Sequence, residues 1–309
     1  MLKRSAFIVL IIAFVTGAFL LVARGKRHPS TVDGLDDIRE YACSRIVSLS
    51  PNITETLFAL GLGERTVSVT RFCRYPPEAR EIAKVGGYLD PNYEAIAALR
   101  PDMVFLLPEH EAARTYLDEF DIRHRTVNNK TVSQILDAIQ TIGTTCGADG
   151  RAEELATSIR SRMNAVRERA HGFPRPRVLI SIGRSFGGGA LEEVYVAGKN
   201  TSYDELISIA GGENAYEGPA IDYPVLSAEG IIRLDPDIIV ELATGIDDRG
   251  LDEAAVIEDW KGLPGLEAVK RGKVYVITGD YAVIPGPRFI LFLEELQAIL
   301  HPETAEGNT

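Results

Sequence analysis

Glu94-Ala-Ile-Ala-Ala-Leu-Arg-Pro-Asp-Met-Val (94–104) and Glu229-Gly-Ile-Ile-Arg-Leu-Asp-Pro-Asp-Ile-Ile (229–239) carry Glu, Ile, Leu, Pro and Asp at the same offsets. The copies stand 135 residues apart, far beyond the roughly 20–50-residue period of a solenoid, so they predict two similar lobes. Each reads as a short helix stopped at the residue before proline, then a buried strand, at 103–107 in one copy and 238–240 in the other. The repeated Glu is thereby a surface group carried at the same place on both lobes.

Working outward, strands and helices alternate. Residues 45–50 read as a strand running into Ser50-Pro51, an N-cap followed by proline at the first helical position, with a helix over 52–60. Further strands are expected at 66–70, 103–107 and 124–127. A long helical pattern covers 149–170, with Leu155, Ile159, Met163 and Val166 at helical spacing. A second block then repeats the plan: strands at 177–183, 193–197, 237–242 and 273–278, a helix over 203–210 and a last one over 287–300. The fold class is therefore α/β, two Rossmann-like lobes joined by a single long helix, with the ligand cleft between them. The expected organisation is an anchor or signal at 1–27, a linker at 28–43, a first lobe at 44–148, a connecting helix at 149–172, a second lobe at 173–301 and a tail at 302–309. A single helix between lobes is a stiff connector that disfavours large hinge closure.

At 309 residues the chain exceeds one comfortable hydrophobic core, which agrees with two lobes. The net charge is −11, and beyond residue 27 the balance is 28 basic against 44 acidic residues, or −16. So acidic a surface repels phosphate backbones and excludes nucleic acid as a partner. Lys3 and Arg4 precede an 18-residue apolar run, 6–23, broken only by Thr16 and Gly17. Signal-peptide cores span about 7–15 residues, so this run reads as an uncleaved membrane anchor, with a cleaved signal as the alternative.

Cys43 stands before the first strand and Cys146 at the end of a helical stretch. In a parallel α/β lobe these positions share one face, so the two could form a disulfide; three small buried side chains are the competing reading. Cys73 follows a strand and belongs on the opposite face. The segments edging the cleft are aromatic: Phe72, Tyr88, Tyr195, Tyr223 and Tyr281, with Asp280 the best-placed acid. Aromatic walls with few polar anchors suit a flat or macrocyclic ligand. No nucleophile elbow or acid–base pair is visible, so no catalytic residue and no enzyme activity is expected. The five histidines are scattered, no metal site or cofactor is expected, and His110 reads as a solvated loop residue. Arg71, Arg74 and Arg184 could offer charge to an anionic ligand if they face inward.

Several motifs carry a resemblance: Arg45-Ile-Val-Ser-Leu-Ser-Pro-Asn-Ile-Thr-Glu, Phe72-Cys-Arg-Tyr-Pro-Pro-Glu-Ala, Val85-Gly-Gly-Tyr-Leu-Asp-Pro-Asn-Tyr-Glu-Ala-Ile, Gly211-Gly-Glu-Asn and Pro285-Gly-Pro-Arg. From about residue 44 to 301 the chain resembles the periplasmic cobalamin- and iron-complex-binding proteins that serve ABC importers. The resemblance implies a monomeric, non-enzymatic receptor on the extracytoplasmic side that passes a metal chelate to a permease dimer. It places Glu94 and Glu229 as the carboxylates that dock on permease arginines; as bare sequence, each would simply complement a helix N-terminus. Phe72, Tyr88, Tyr195, Tyr223, Asp280 and Tyr281 match the corrinoid contacts of cobalamin-binding members. Tyr88 also matches the iron-ligating tyrosine of haem-binding members, and ferric siderophores form a third ligand class. Cobalamin leads. The chain departs from the cobalamin pattern in carrying Tyr, Phe or Leu107 where several Trp stand, its one Trp260 lying elsewhere.

Overall fold

Two sheets with parallel cores form the framework of the computed structural model, which describes residues 43–186, 191, 193–246 and 250–304. The apolar run 6–23 and the linker up to residue 42 lie outside the described residues. Among those described, no helix is long and apolar enough to cross a membrane.

The first sheet has the order β2-β1-β3-β4, with β1 at Ile46–Ser48, β2 at Thr66–Val69, β3 at Met103–Leu106 and β4 at His124–Thr126, all parallel. Helices α1 (Pro51–Ala59), α2 (Tyr93–Ala98), α3 (Glu111–Glu119) and α4 (Val132–Thr145) connect and cover it. The second sheet is built on β5 (Arg177–Gly183), β9 (Ile238–Leu242) and β10 (Val274–Ile277), mutually parallel in the order β10-β9-β5. Strand β7 (Glu213–Asn214) also pairs parallel with β5, so β7-β5-β9-β10 repeats the order of the first sheet. What differs is an antiparallel edge in which β6 (Val194–Val196) pairs with β5 and with β8 (Val225–Leu226). Helices α6 (Ser202–Ile209), α7 (Ala228–Leu234), α8 (Glu253–Trp260), α9 (Glu267–Lys270) and α10 (Phe289–Leu300) complete this lobe. The connecting helix α5 runs from Asp149 to Ala170, about 33 Å at 1.5 Å per residue.

Strand alternation sorts the core into layers. Ile46, Phe105, Val178, Ile180 and Val240 face inward with Ile159 and Val166 of α5 and Phe292 of α10, in one apolar cluster that runs from lobe to lobe. Val47, Val104 and Leu106 face the outer helices of the first lobe, and Leu179, Ile239 and Trp260 the outer side of the second. Shared burial along α5, reinforced by Arg162 on Glu294 at 2.6 Å, is the physical basis for a stiff pair of lobes.

The repeated sequence is a structural clasp. In both copies the residue before proline is left-handed, Arg100 at φ 48 and Asp235 at φ 40, which ends the helix and turns the chain into the strand. The Asp after proline then accepts the backbone N–H that opens the neighbouring strand: Asp102 from Arg45 at 3.0 Å and Asp237 from Arg177 at 2.8 Å. The same arginines donate their guanidinium groups to the last helix carbonyls, Leu99 at 2.7 Å and Leu234 at 2.5 Å. Each lobe thus locks its helix–strand turn to its first strand in the same way, and this fixes Glu94 and Glu229 at equivalent positions.

Cys43 and Cys146 are joined by a disulfide with their Cα atoms 5.0 Å apart, tying the start of β1 to the end of α4. It closes a loop of 103 residues, so replacing both cysteines by serine is expected to cost about 2–5 kcal/mol. Urea unfolding of the two forms checks this; equal midpoints would contradict it.

Candidate functional site

In the first lobe every strand delivers a cleft residue just beyond its C-terminal end. Ser50, Pro51 and Asn52 follow β1, Phe72 follows β2, Glu109 follows β3, and Asn129 and Lys130 follow β4. Tyr88 arrives on a turn whose Gly86 has φ 100 and would bring a Cβ within 2.6 Å of the Asp90 carbonyl. Across from them stand Tyr223 and the segment Val283, Ile284 and Pro285. Together these residues line a cavity of about 590 Å³. A small pocket of about 50 Å³ shares Tyr223 and Pro285 with it and contains Tyr281.

Of the six residues expected to meet a ligand, Phe72, Tyr88 and Tyr223 line the cleft and Tyr281 lines the adjoining pocket. Tyr195 does not line it: it sits on the antiparallel edge, paired with Val225 of β8. Nor does Asp280, whose carboxylate is bound to Arg288 at 2.8 Å. Glu109, Asn129 and Lys130 escaped the sequence reading, although each directly follows a strand, which is the signal that would have found them.

Tyr88 donates its hydroxyl to Glu109. Burial first, and then that bond and the Glu109 charge, push the phenol well above its ordinary pKa. Behind it, the His110 ring stands edge-on at 4.9 Å. His110 is buried, 4% exposed, contrary to its expected place in solvent. Its Nδ1 accepts the Leu107 N–H at 3.1 Å, so the loop after β3 folds back over its own strand. Burial holds the imidazole below its usual pKa, against the pull of Glu109. Burial and then Asp222 likewise raise Tyr223. Tyr281 is raised to about 12, by burial and then by its hydrogen bond to Glu295.

The arginines proposed for an anionic ligand are otherwise engaged. Arg71 pairs with Asp90 at 3.0 Å at the rim. Arg184 lies inside the second lobe, 2% exposed, on Glu241 and Asp259 at 2.7 Å each. Arg74 is not among the cleft-lining residues. Two ion pairs cross between lobes near the cleft: Lys130 on Asp222 at 2.7 Å, and Arg288 on Glu55.

Ser50 takes the N-cap position of α1, but its hydroxyl turns to Asn52 Oδ1 rather than to a helix N–H. Cys73 is buried against the Thr54 and Thr70 hydroxyls. Glu94 and Glu229 are exposed at the second position of α2 and α7, after the side-chain caps Asn92 and Ser227. Its own backbone N–H and the Ser227 hydroxyl lower the Glu229 pKa. Both glutamates therefore complement a helix N-terminus whatever else they do.

Residues 46–281 match the family model described as periplasmic binding protein. An uncharacterized ABC transporter substrate-binding lipoprotein, YvrC, of Bacillus subtilis is 30% identical over 84% of this chain and 81% of its own. A vitamin B12-binding protein of Vibrio parahaemolyticus is 26% identical over 79% of this chain and 84% of its own. The periplasmic haem-binding protein RhuT of Roseiflexus, in apo form, superposes with a TM-score of 0.71 at 26% identity, over 84% of this chain and 99% of that one.

Proposed function

Because the chain belongs to the periplasmic binding protein family and is a substrate-binding protein of the ABC-importer type, we propose that it captures a corrinoid such as cobalamin in the cleft and presents it to an import permease. The observation that carries this choice over haem is the Tyr88–Glu109 hydrogen bond. An iron-bound tyrosine must lose its proton, and a neighbouring carboxylate that raises the phenol pKa works against that loss. A corrinoid needs no phenolate. It needs flat apolar walls, which Phe72, Tyr88 and Tyr223 supply, and partners for peripheral amides, which Asn52, Asn129 and Ser50 supply. Lys130, the cation in the lining, is already paired with Asp222, an arrangement poorly suited to a ligand with several negative charges.

Glu94 and Glu229 are the docking carboxylates in this reading: exposed, equivalently placed, and suited to charge-assisted contacts with arginines of a two-fold permease. The apolar run 6–23 holds the receptor at the extracytoplasmic face of the membrane. Tyr88 tests the ligand choice. Phe72→Ala or Tyr223→Ala is expected to weaken cyanocobalamin binding by about 1.5–3 kcal/mol, whereas Tyr88→Phe, which keeps the ring, changes it little. A haemin absorbance spectrum that depends on the Tyr88 hydroxyl, without corrinoid binding, would replace cobalamin by haem.

A further inference from the structure

Behind the cleft a single guanidinium spans the two lobes. Arg288, just before α10, donates through Nη2 and Nε to the two oxygens of Glu55 at 2.5 and 2.9 Å. Its Nη1 donates to Asp280 at 2.8 Å, and its guanidinium carbon stands 3.7 Å from the Tyr75 ring centroid. Asp280 belongs to the second lobe; Glu55 on α1 and Tyr75 after β2 belong to the first. The Arg288–Glu55 pair is shielded from water, with side-chain exposures of 13% for Arg288 and 1% for Glu55, whereas Asp280 and Tyr75 stand at the edge of the contact, half-exposed. Glu55 lies one turn beyond Asn52 in one cleft wall, and Arg288 three residues beyond Pro285 in the other. Between them Gly286 lies so close to α1 that a Cβ would stand 3.2 Å from the Asn52 Cα.

We propose that Arg288 is a positioning residue that sets the width of the cleft, holding the Asn52 and Pro285 walls at ligand-binding distance through Glu55 and Tyr75. The argument rests on the reading of this cleft as the ligand site. A bidentate arginine–carboxylate pair fixes direction as well as distance, and the stacked Tyr75 fixes the plane of the fork. Lysine would keep the charge but lose both constraints. Elsewhere the lobes share the apolar core along α5, and Lys130 meets Asp222 at another point of the cleft. Arg288 adds a directional contact next to the walls themselves.

The test uses the full chain with spin labels on Ala112→Cys in the first lobe and Ala254→Cys in the second, in a Cys73→Ala background, with electron–electron distances measured without ligand. Arg288→Lys and Glu55→Gln should each lengthen and broaden the interlobe distance and weaken cyanocobalamin binding about tenfold or more. Arg271→Gln, which removes an ion pair to Glu267 confined to the second lobe, should leave the distance unchanged. Circular dichroism establishes that each variant is folded, and Glu55→Gln, which keeps shape and one hydrogen bond, serves if an arginine variant is not. Unchanged distances in the folded variants overturn the proposal, and so does a changed distance with unaltered affinity. If the parent protein binds no cyanocobalamin, the ligand reading fails, while the distances still decide whether Arg288 sets the cleft.

Discussion

Reversing both Glu94 and Glu229 to lysine is expected to abolish ligand uptake and leave ligand affinity intact. Both side chains are exposed on helices of opposite lobes, and neither is among the residues lining the cleft. Removing one partner of a charge pair buried at an interface costs about 2–5 kcal/mol. Two such losses, with repulsion in place of attraction, weaken the receptor–permease complex about a thousandfold or more. The fold survives, because a fully exposed acid in the first helical turn contributes little to stability, and the Asn92 and Ser227 caps remain. Glu94→Gln and Glu229→Gln, taken singly, give intermediate uptake. Cellular uptake measured beside calorimetric affinity separates the outcomes: affinity that falls in step with uptake would place these residues in ligand binding instead.

The second large effect lies inside the second lobe. Glu241 accepts from Ser181 Oγ at 2.7 Å, Trp260 Nε1 at 2.9 Å and Arg184 Nε at 2.7 Å, while Arg184 also holds Asp259. Arg184→Met would remove the counter-charge from two buried carboxylates, at a cost of about 3–5 kcal/mol. The loss depends on pH. Burial already raises the Glu241 carboxyl, and Arg184 opposes that rise; without it the folded-state value climbs further. A carboxyl whose folded pKa exceeds its unfolded one binds its proton more tightly when folded. Stability then declines as pH rises above the unfolded value of about 4.3. The deficit relative to the parent is therefore larger at pH 7 than at pH 5 in denaturant unfolding. A deficit below about 1 kcal/mol at pH 7 would mean that water reaches the network and screens it.

The main strands, the connecting helix and the equivalence of the lobes were legible because each rests on local pattern: proline after a short helix, alternating apolar strands, 22 residues of uninterrupted helix from Asp149 to Ala170; the two-residue strands Glu213–Asn214 and Val225–Leu226 are too short to carry such a pattern. The clasp behind the repeat was not, since Arg45 and Asp102 stand 57 residues apart and Arg177 and Asp237 stand 60 apart. The same holds for charge. Arg184 looked available to a ligand because its partners, Glu241 and Asp259, are chosen by the tertiary fold, as is the Arg288 pairing of Asp280. His110 looked solvated because nothing nearby in sequence shows that its ring tucks beneath Tyr88. Tyr195 stands on the antiparallel edge of the second sheet, which breaks the symmetry between lobes and has no local signal in the sequence.

What the cleft holds decides the function, and calorimetric titration of the purified full chain with cyanocobalamin measures that directly. A cleft walled by Phe72, Tyr88 and Tyr223 leads us to expect saturable one-to-one binding that is lost when all three are changed to alanine. The absence of corrinoid heat at concentrations where haemin or a ferric siderophore binds one-to-one would contradict it.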